Sequence, residues 1–146
     1  MKILIFGLPG SGKTTLAKPF AELIGAIHIN ADDIRKEYDD WDFTPEGRMR
    51  QAQRMKYLAD GIVKAGKICV ADFVAPTPEA RTEFNADFTV WMDTIKEGRF
   101  EDTNKMFQSP DFADVDYHVA DWFNDTHEQL ALVIRKYLER GKKPLS

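Results

Sequence analysis

Gly7, Gly12, Lys13 and Thr14 stand in the stretch GLPGSGKTT, which follows directly on the apolar run KILIF. Glycine, four residues, then Gly-Lys-Thr is the spacing of a phosphate cradle between a strand and a helix. Glycines allow successive backbone N–H groups to turn inward around an anion. A helix that begins near Lys13 adds the partial positive charge of its N-terminus. Lys13 supplies a point charge for β- and γ-phosphates, and the Thr14 hydroxyl supplies a ligand for Mg²⁺ bridging them. The expected binding set is Gly7, Leu8, Pro9, Gly10, Ser11, Gly12, Lys13, Thr14 and Thr15, with Thr14 as the metal ligand and Lys13 also catalytic. The loop implies a bound nucleoside triphosphate but not the destination of its γ-phosphate.

Three later segments supply residue types suited to an acceptor. In INADDIRK, Asp32 or Asp33 could take a proton from an attacking hydroxyl or hold Mg²⁺ through water. Arg35 follows Asp32 by one helical turn and could clamp an anion. The plainer alternative is an N-capping aspartate and a solvated charge pair. Arg48 and Gln51 are also one turn apart and could project together, whereas Arg50 and Arg54 are expected on the solvent side. In ADFVAPTPEAR, Asp72 could serve as a second Mg²⁺-linked carboxylate. Phe73 could stack on a base or pack as a core aromatic. Arg81 is expected on a helix surface. The proton-accepting and metal-linked roles stay open among Asp32, Asp33 and Asp72.

These residues need a scaffold that gathers them at one end. KILIF reads as a buried strand, residues 13–24 as a helix stopped by Gly25, and AIHI as a second strand. Pro19 should kink or shorten that first helix. Thr44 as cap and Pro45 in the first turn open a long helix that Gly66 ends. KICVADF, DFTVWMD and the short DYHVA read as strands, and TPEARTEF repeats the Thr-Pro helix start. Residues 94–114 are polar and irregular with a short helix. DTHEQLALVIRKYLERG reads as a terminal helix with a capping box between Asp125 and Glu128. Apolar strands alternating with helices imply an α/β fold, a parallel sheet covered on both faces, with ligands at the carboxyl ends of its strands.

The chain has 146 residues, a formal net charge of −4 and one cysteine. That size suits one domain over residues 1–146. The charge disfavours a general nucleic-acid binder without excluding a local basic groove. Cys69 is expected to be a small buried hydrophobe in a reducing compartment. No signal peptide or membrane-length apolar run is visible, so a cytoplasmic protein with a short polar tail, GKKPLS, is expected. Trp41, Trp91 and Trp122 are expected in the core.

Together, GLPGSGKTT, NADDIR, WDFTPEGRMRQAQRMKYLADGIVKAGKICV, DFVAP and VWMDT resemble the adenylylsulfate kinase family in order and spacing, over roughly the first two thirds of the chain. The resemblance implies a three-layer P-loop NTPase fold with a mostly parallel five-stranded sheet and a short lid at 94–114. It implies ATP and Mg²⁺ as cofactors and transfer of the γ-phosphate to the 3′-hydroxyl of adenylyl sulfate. It makes Asp32 the catalytic aspartate, Arg35 and Arg48 substrate-gripping arginines, and Gln51 and Phe73 further substrate contacts. Lys105 becomes a lid residue, with Arg99 in the same segment. The expected partner is a small-molecule acceptor, with no membrane and with a homodimer left open. The family usually reads Asp-Gly-Asp-Asn at Asn30–Asp33, asparagine at Gln51 and Ile-Ser-Pro at Val74–Pro76. Other acceptors therefore stay open: a nucleoside, a nucleotide or a polynucleotide 5′-end. So does a nucleotide-binding module without transfer, although no Asn-Lys-x-Asp guanine reader is found.

Overall fold

The computed structural model describes residues 1–98 and 100–142, with side chains through Arg140; Arg99 and the end of the GKKPLS tail lie outside the described residues. Five strands form one sheet: β1 (Lys2–Phe6), β2 (Ile27–Asn30), β3 (Cys69–Asp72), β4 (Phe88–Met92) and β5 (Tyr117–Val119). Their order is β2-β3-β1-β4-β5, and every pairing is parallel. The expected mostly parallel sheet is thus parallel throughout. Each parallel neighbour needs a crossover, and the helices α1 (Lys13–Ile24), α2 (Ala31–Tyr38), α3 (Pro45–Lys64), α4 (Pro78–Phe84), α5 (Glu101–Met106) and α6 (Thr126–Lys142) provide the connecting layers.

Strand alternation sorts the core into two layers. Ile3 and Ile5 pack with Leu16, Phe20, Leu130 and Ile134 beneath α1 and α6. Leu4 and Phe6 pack with Met55, Ala59, Phe84 and Trp91 beneath α3 and α4. Cys69 is fully buried, and burial pushes its thiol up to about 12, so it behaves as a small apolar residue.

Local signals explain the element ends. The Thr44 hydroxyl accepts from the Gly47 N–H at 3.2 Å and caps α3 beside Pro45. Thr77 caps α4 in the same way through Ala80. Pro19 does not break α1, which runs 12 residues to a Gly25 cap. The residue one turn before it, Thr15, is exposed, which leaves water to satisfy the carbonyl that loses its donor. At α6, the Asp125 carboxylate accepts from the Gln129 side chain at 3.1 Å.

Two sequence expectations about aromatics need correction. Trp91 is buried, but Trp41 and Trp122 are 50% and 40% exposed. Trp91 sits on the interior strand β4, whereas the other two lie on the turns after α2 and β5.

Candidate functional site

The carboxyl ends of β1, β2 and β3 open on a cavity of about 670 Å³. Its floor is the glycine loop between β1 and α1. Gly10 and Gly12 have φ of +87° and +96°, the left-handed region where glycine is favoured. Lys13 donates to the Leu8 carbonyl at 3.0 Å, folding its side chain back over the loop. Burial pushes the Lys13 amine down to about 8, opposed by the nearby carboxylates of Asp72 and Asp32 and reinforced by Arg48. Ser11 is fully buried, and its hydroxyl has no hydrogen-bond partner among the described residues. Among the expected loop residues, Pro9, Gly10, Gly12, Lys13, Thr14 and Thr15 line the cavity; Gly7, Leu8 and Ser11 do not.

Asn30 and Asp72 are register partners on β2 and β3, so their side chains stand side by side at the strand ends. Asp72, 2% exposed, accepts from the Thr14 hydroxyl at 3.1 Å and from the Asn30 amide at 3.0 Å. It also pairs with His28 Nε2. The Asn30 amide donates to the Thr14 hydroxyl as well, at 3.0 Å. This places two hard oxygen donors, Thr14 Oγ1 and Asp72 Oδ1, together beside the phosphate loop. Mg²⁺ held by one or two protein oxygens plus nucleotide phosphates and waters fits that donor set.

Asn30, not an aspartate, caps α2: its Oδ1 accepts from the Asp33 N–H at 3.1 Å. The cap sends Asp32 into the cavity lining, where it makes no hydrogen bond or ion pair with the described residues. Asp33 is exposed and does not line the cavity.

Arg35, which also lines the cavity, is 2% exposed and already engaged. It donates to the carbonyls of Asp40 and Asp42, each at 3.0 Å. Burial lowers its pKa, with Asp40 opposing. Asp40 and Asp42 in turn pair with Arg50, and Asp40 also with Arg54. Hydrogen bonds from Arg50 and Arg54 hold the Asp40 carboxyl well below the usual carboxylate range, and hydrogen bonds from Thr44, then Arg50, do the same for Asp42. Arg54 is therefore partly buried rather than fully on the solvent side.

The turn fixed in this way presents Phe43, a residue that sequence reasoning missed. Its ring lies 4.4 Å from the Arg35 guanidinium carbon and 4.9 Å from that of Arg48, with 48% of the residue exposed. Phe43 precedes the Thr44 cap and Arg48 is the fourth helical residue, the two positions that meet in a hydrophobic staple. That spacing was the available signal. Arg48 also donates to Thr103 of α5 at 2.7 Å, while its buried Nε has no partner among the described residues. Burial and the Arg35 charge push Arg48 down to about 10.

Gln51 is buried and donates to the Ala31 carbonyl at 2.9 Å, tying α3 to the start of α2. Phe73 is 5% exposed and packs edge-on against Phe84 at 5.6 Å, so it reaches the cavity only from within the core. Lys105 is exposed and does not line the cavity; Phe100, Asp102 and Thr103 do. Arg81, expected on the helix surface, is partly buried between Phe6 and Phe107 because its stem has an aromatic slot to fill.

A parallel sheet whose first strand feeds this glycine loop and helix defines a P-loop α/β protein. Its structural likeness includes the solved structure of the Mycobacterium tuberculosis APS kinase in complex with AMPPNP and APS, with a TM-score of 0.74 at 18% identity, covering 94% of this chain and 96% of that one. Residues 1–98 match the adenylylsulphate kinase family model, and the chain belongs to that family. A probable adenylyl-sulfate kinase of Aeropyrum pernix is 33% identical over 54% of this chain and 46% of its own length. An adenylate kinase of Pyrococcus furiosus is 40% identical over 60% of this chain and 37% of its own. The chain thus spans less than half the length of these two curated relatives.

Proposed function

We propose that the protein is a Mg²⁺- and ATP-dependent kinase of a small hydroxyl acceptor, adenylyl sulfate first among the candidates. The observation that carries this reading is Asp32, a carboxylate with no hydrogen bond or ion pair among the described residues, which lines the same cavity as Lys13 and Arg48. The loop amides and Lys13 bind the triphosphate tail. Thr14 and Asp72 would hold Mg²⁺, which when bound neutralises charge on the β- and γ-phosphate oxygens. Asp32 takes the acceptor hydroxyl proton as its oxygen bonds to the γ-phosphorus and the bond to the ADP oxygen breaks. Arg48 holds the acceptor's anionic group, and Phe43 offers a half-exposed ring to a planar one. Family membership, and the adenylylsulfate kinases among the relatives, support adenylyl sulfate as that acceptor.

One observation favours a second reading, a kinase for another small hydroxyl acceptor. Two Arg35 donor bonds are spent on backbone carbonyls, and Val74, Ala75 and Pro76 make one wall apolar, which weakens the anion site.

The test is ADP release with ATP, Mg²⁺ and adenylyl sulfate. Acceptor-dependent release that falls about 10²–10⁴-fold in Asp32→Asn, with nucleotide affinity kept, supports the reading. Release stimulated only by a nucleotide, a sugar or a polynucleotide end moves the assignment to that acceptor. No acceptor-dependent release from any of these leaves a nucleotide-binding module.

A further inference from the structure

Three segments that are distant in sequence meet at Arg81. Its Nε donates to the Ala75 carbonyl at 2.9 Å and its Nη2 to the Gln108 carbonyl at 2.6 Å. The guanidinium lies 4.4 Å from the Phe6 ring centre and 5.2 Å from that of Phe107. Those two rings stack with centres 6.4 Å apart. The Gln108 N–H returns a bond to the Pro76 carbonyl at 2.7 Å, closing a small circuit between the chain after β3 and the chain leaving α5.

Each of these contacts touches something the cavity needs. Phe6 immediately precedes Gly7 of the phosphate loop. Ala75 and Pro76 form the apolar wall of the cavity, which Arg81 itself does not line. Ala75 is a buried non-glycine residue at φ +42°. Such a conformation is strained and persists only where its surroundings over-determine it. The bond from Arg81 to the Ala75 carbonyl is one such restraint. Phe107 and Gln108 follow α5, the helix that brings Thr103 to Arg48. Among the described residues Arg81 forms no ion pair, and its two hydrogen bonds go to backbone carbonyls from separate segments. Its burial lowers its pKa to about 10.

We infer that Arg81 is a positioning residue for the transfer reaction: it pins the strained Ala75 wall to the root of α5, so that the acceptor wall and the helix above it hold position together. The side chain touches neither nucleotide nor acceptor; it acts through the Ala75 and Gln108 carbonyls. A lysine cannot reproduce this, because one ammonium on a flexible stem lacks the planar fork that serves two acceptors at once. A methionine keeps the apolar stem over Phe6 and loses both bonds.

The test compares Arg81→Met and Arg81→Lys with the parent chain in three measurements: Mg²⁺-AMPPNP affinity, steady-state kinetics with the acceptor, and trypsin cleavage at Lys96 and Lys105. Loss of two hydrogen bonds to a charged group should raise the acceptor KM by about tenfold or more in Arg81→Met. Cleavage at Lys105 should accelerate to a similar degree, AMPPNP affinity should change less than about twofold, and cutting within α3 and α6 should be unchanged. Arg81→Lys should fall between Arg81→Met and the parent. The idea is overturned if both variants merely lower Tm and leave acceptor KM and Lys105 cleavage at parent values. It is equally overturned if cleavage accelerates throughout the chain or AMPPNP affinity falls in step with KM. The KM arm rests on the proposed kinase reading; the cleavage and AMPPNP arms do not. A parent chain that turns over no acceptor therefore refutes that reading, while cleavage still judges Arg81.

Discussion

Arg48 of α3 donates to the Thr103 hydroxyl of α5 at 2.7 Å, so the residue proposed to hold the acceptor's anionic group is engaged by a neutral hydroxyl. A bond from the same guanidinium to an anionic oxygen adds the attraction of opposite charges, which a neutral hydroxyl does not offer. Acceptor and Thr103 should compete for Arg48. Thr103→Val removes the competitor and is expected to lower the acceptor KM about fivefold, near 1 kcal/mol. Arg48→Ala should raise it at least as far. Steady-state kinetics at fixed saturating ATP measure both, and a raised KM in Thr103→Val would remove the competition from the account.

Lys13 gives the site a pH dependence with a definite sign. Burial lowers its pKa from 10.5 to about 8. A bound triphosphate favours the charged amine, so the bound-state pKa is higher than the free one. Affinity for Mg²⁺-AMPPNP should be flat below pH 8 and weaken by up to tenfold per pH unit above it, with proton uptake on binding. For folding the sign is opposite: between pH 8 and 10.5 the unfolded chain holds more protons at this position, so Lys13's contribution to stability rises through that window. Calorimetric titrations at pH 8.5 in buffers of different ionisation enthalpy would read the uptake. Lys13→Met should abolish it.

The phosphate loop, the strand alternation and the Thr-Pro helix starts are local signals, and each was legible in the sequence. The side-chain partners were not, because they depend on where distant backbone arrives. Nothing in NADDIR says that Arg35 will spend two donor bonds on the carbonyls of Asp40 and Asp42, since backbone acceptors leave no residue pattern. Phe43 joins Arg35 and Arg48 only through the turn that Asp40 and Asp42 lock onto α3. On α5, the family resemblance pointed to Lys105, but Thr103 faces the cavity. Two residues along a helix rotate a side chain by about 200°, which carries Lys105 to the solvent side.

Asn30 holds three partners at once, and two substitutions separate its duties. Asn30→Ala loses the cap on α2 and both amide bonds, to Thr14 and to Asp72. Losing such a cap costs about 1–2 kcal/mol, which for a chain of this size lowers Tm by roughly 3–6 °C. Asn30→Asp keeps a capping oxygen but sets a second carboxylate about where the amide nitrogen stood, 3.0 Å from Asp72 Oδ1. Two carboxylates that close repel, so this variant should melt lower than the parent in chelator and recover when Mg²⁺ is added. Thermal melts of both variants with and without Mg²⁺ decide it. Equal melting of Asn30→Asp in the two conditions would remove Asp72 from the metal-holding set.

Gly12 is constrained twice, and the two constraints can be separated. Its φ of +96° disfavours any side chain. A Cβ there would stand 2.4 Å from Cζ2 and 2.7 Å from Nε1 of Trp122, the indole that follows β5 and covers the loop. In Gly12→Ala the ring must move and the loop amides must rotate out of the cradle. AMPPNP affinity is expected to fall at least about 100-fold, because the amide nest that binds phosphate is what the new backbone angle destroys. Indole emission should shift as Trp122 leaves the loop. Adding Trp122→Ala removes the collision but not the left-handed angle. The double variant should regain about 1 kcal/mol of stability over Gly12→Ala without regaining nucleotide affinity. Melts and AMPPNP titrations of the two variants measure the two quantities apart. If affinity returns along with stability, the indole's position rather than the glycine's backbone angle governs the cradle.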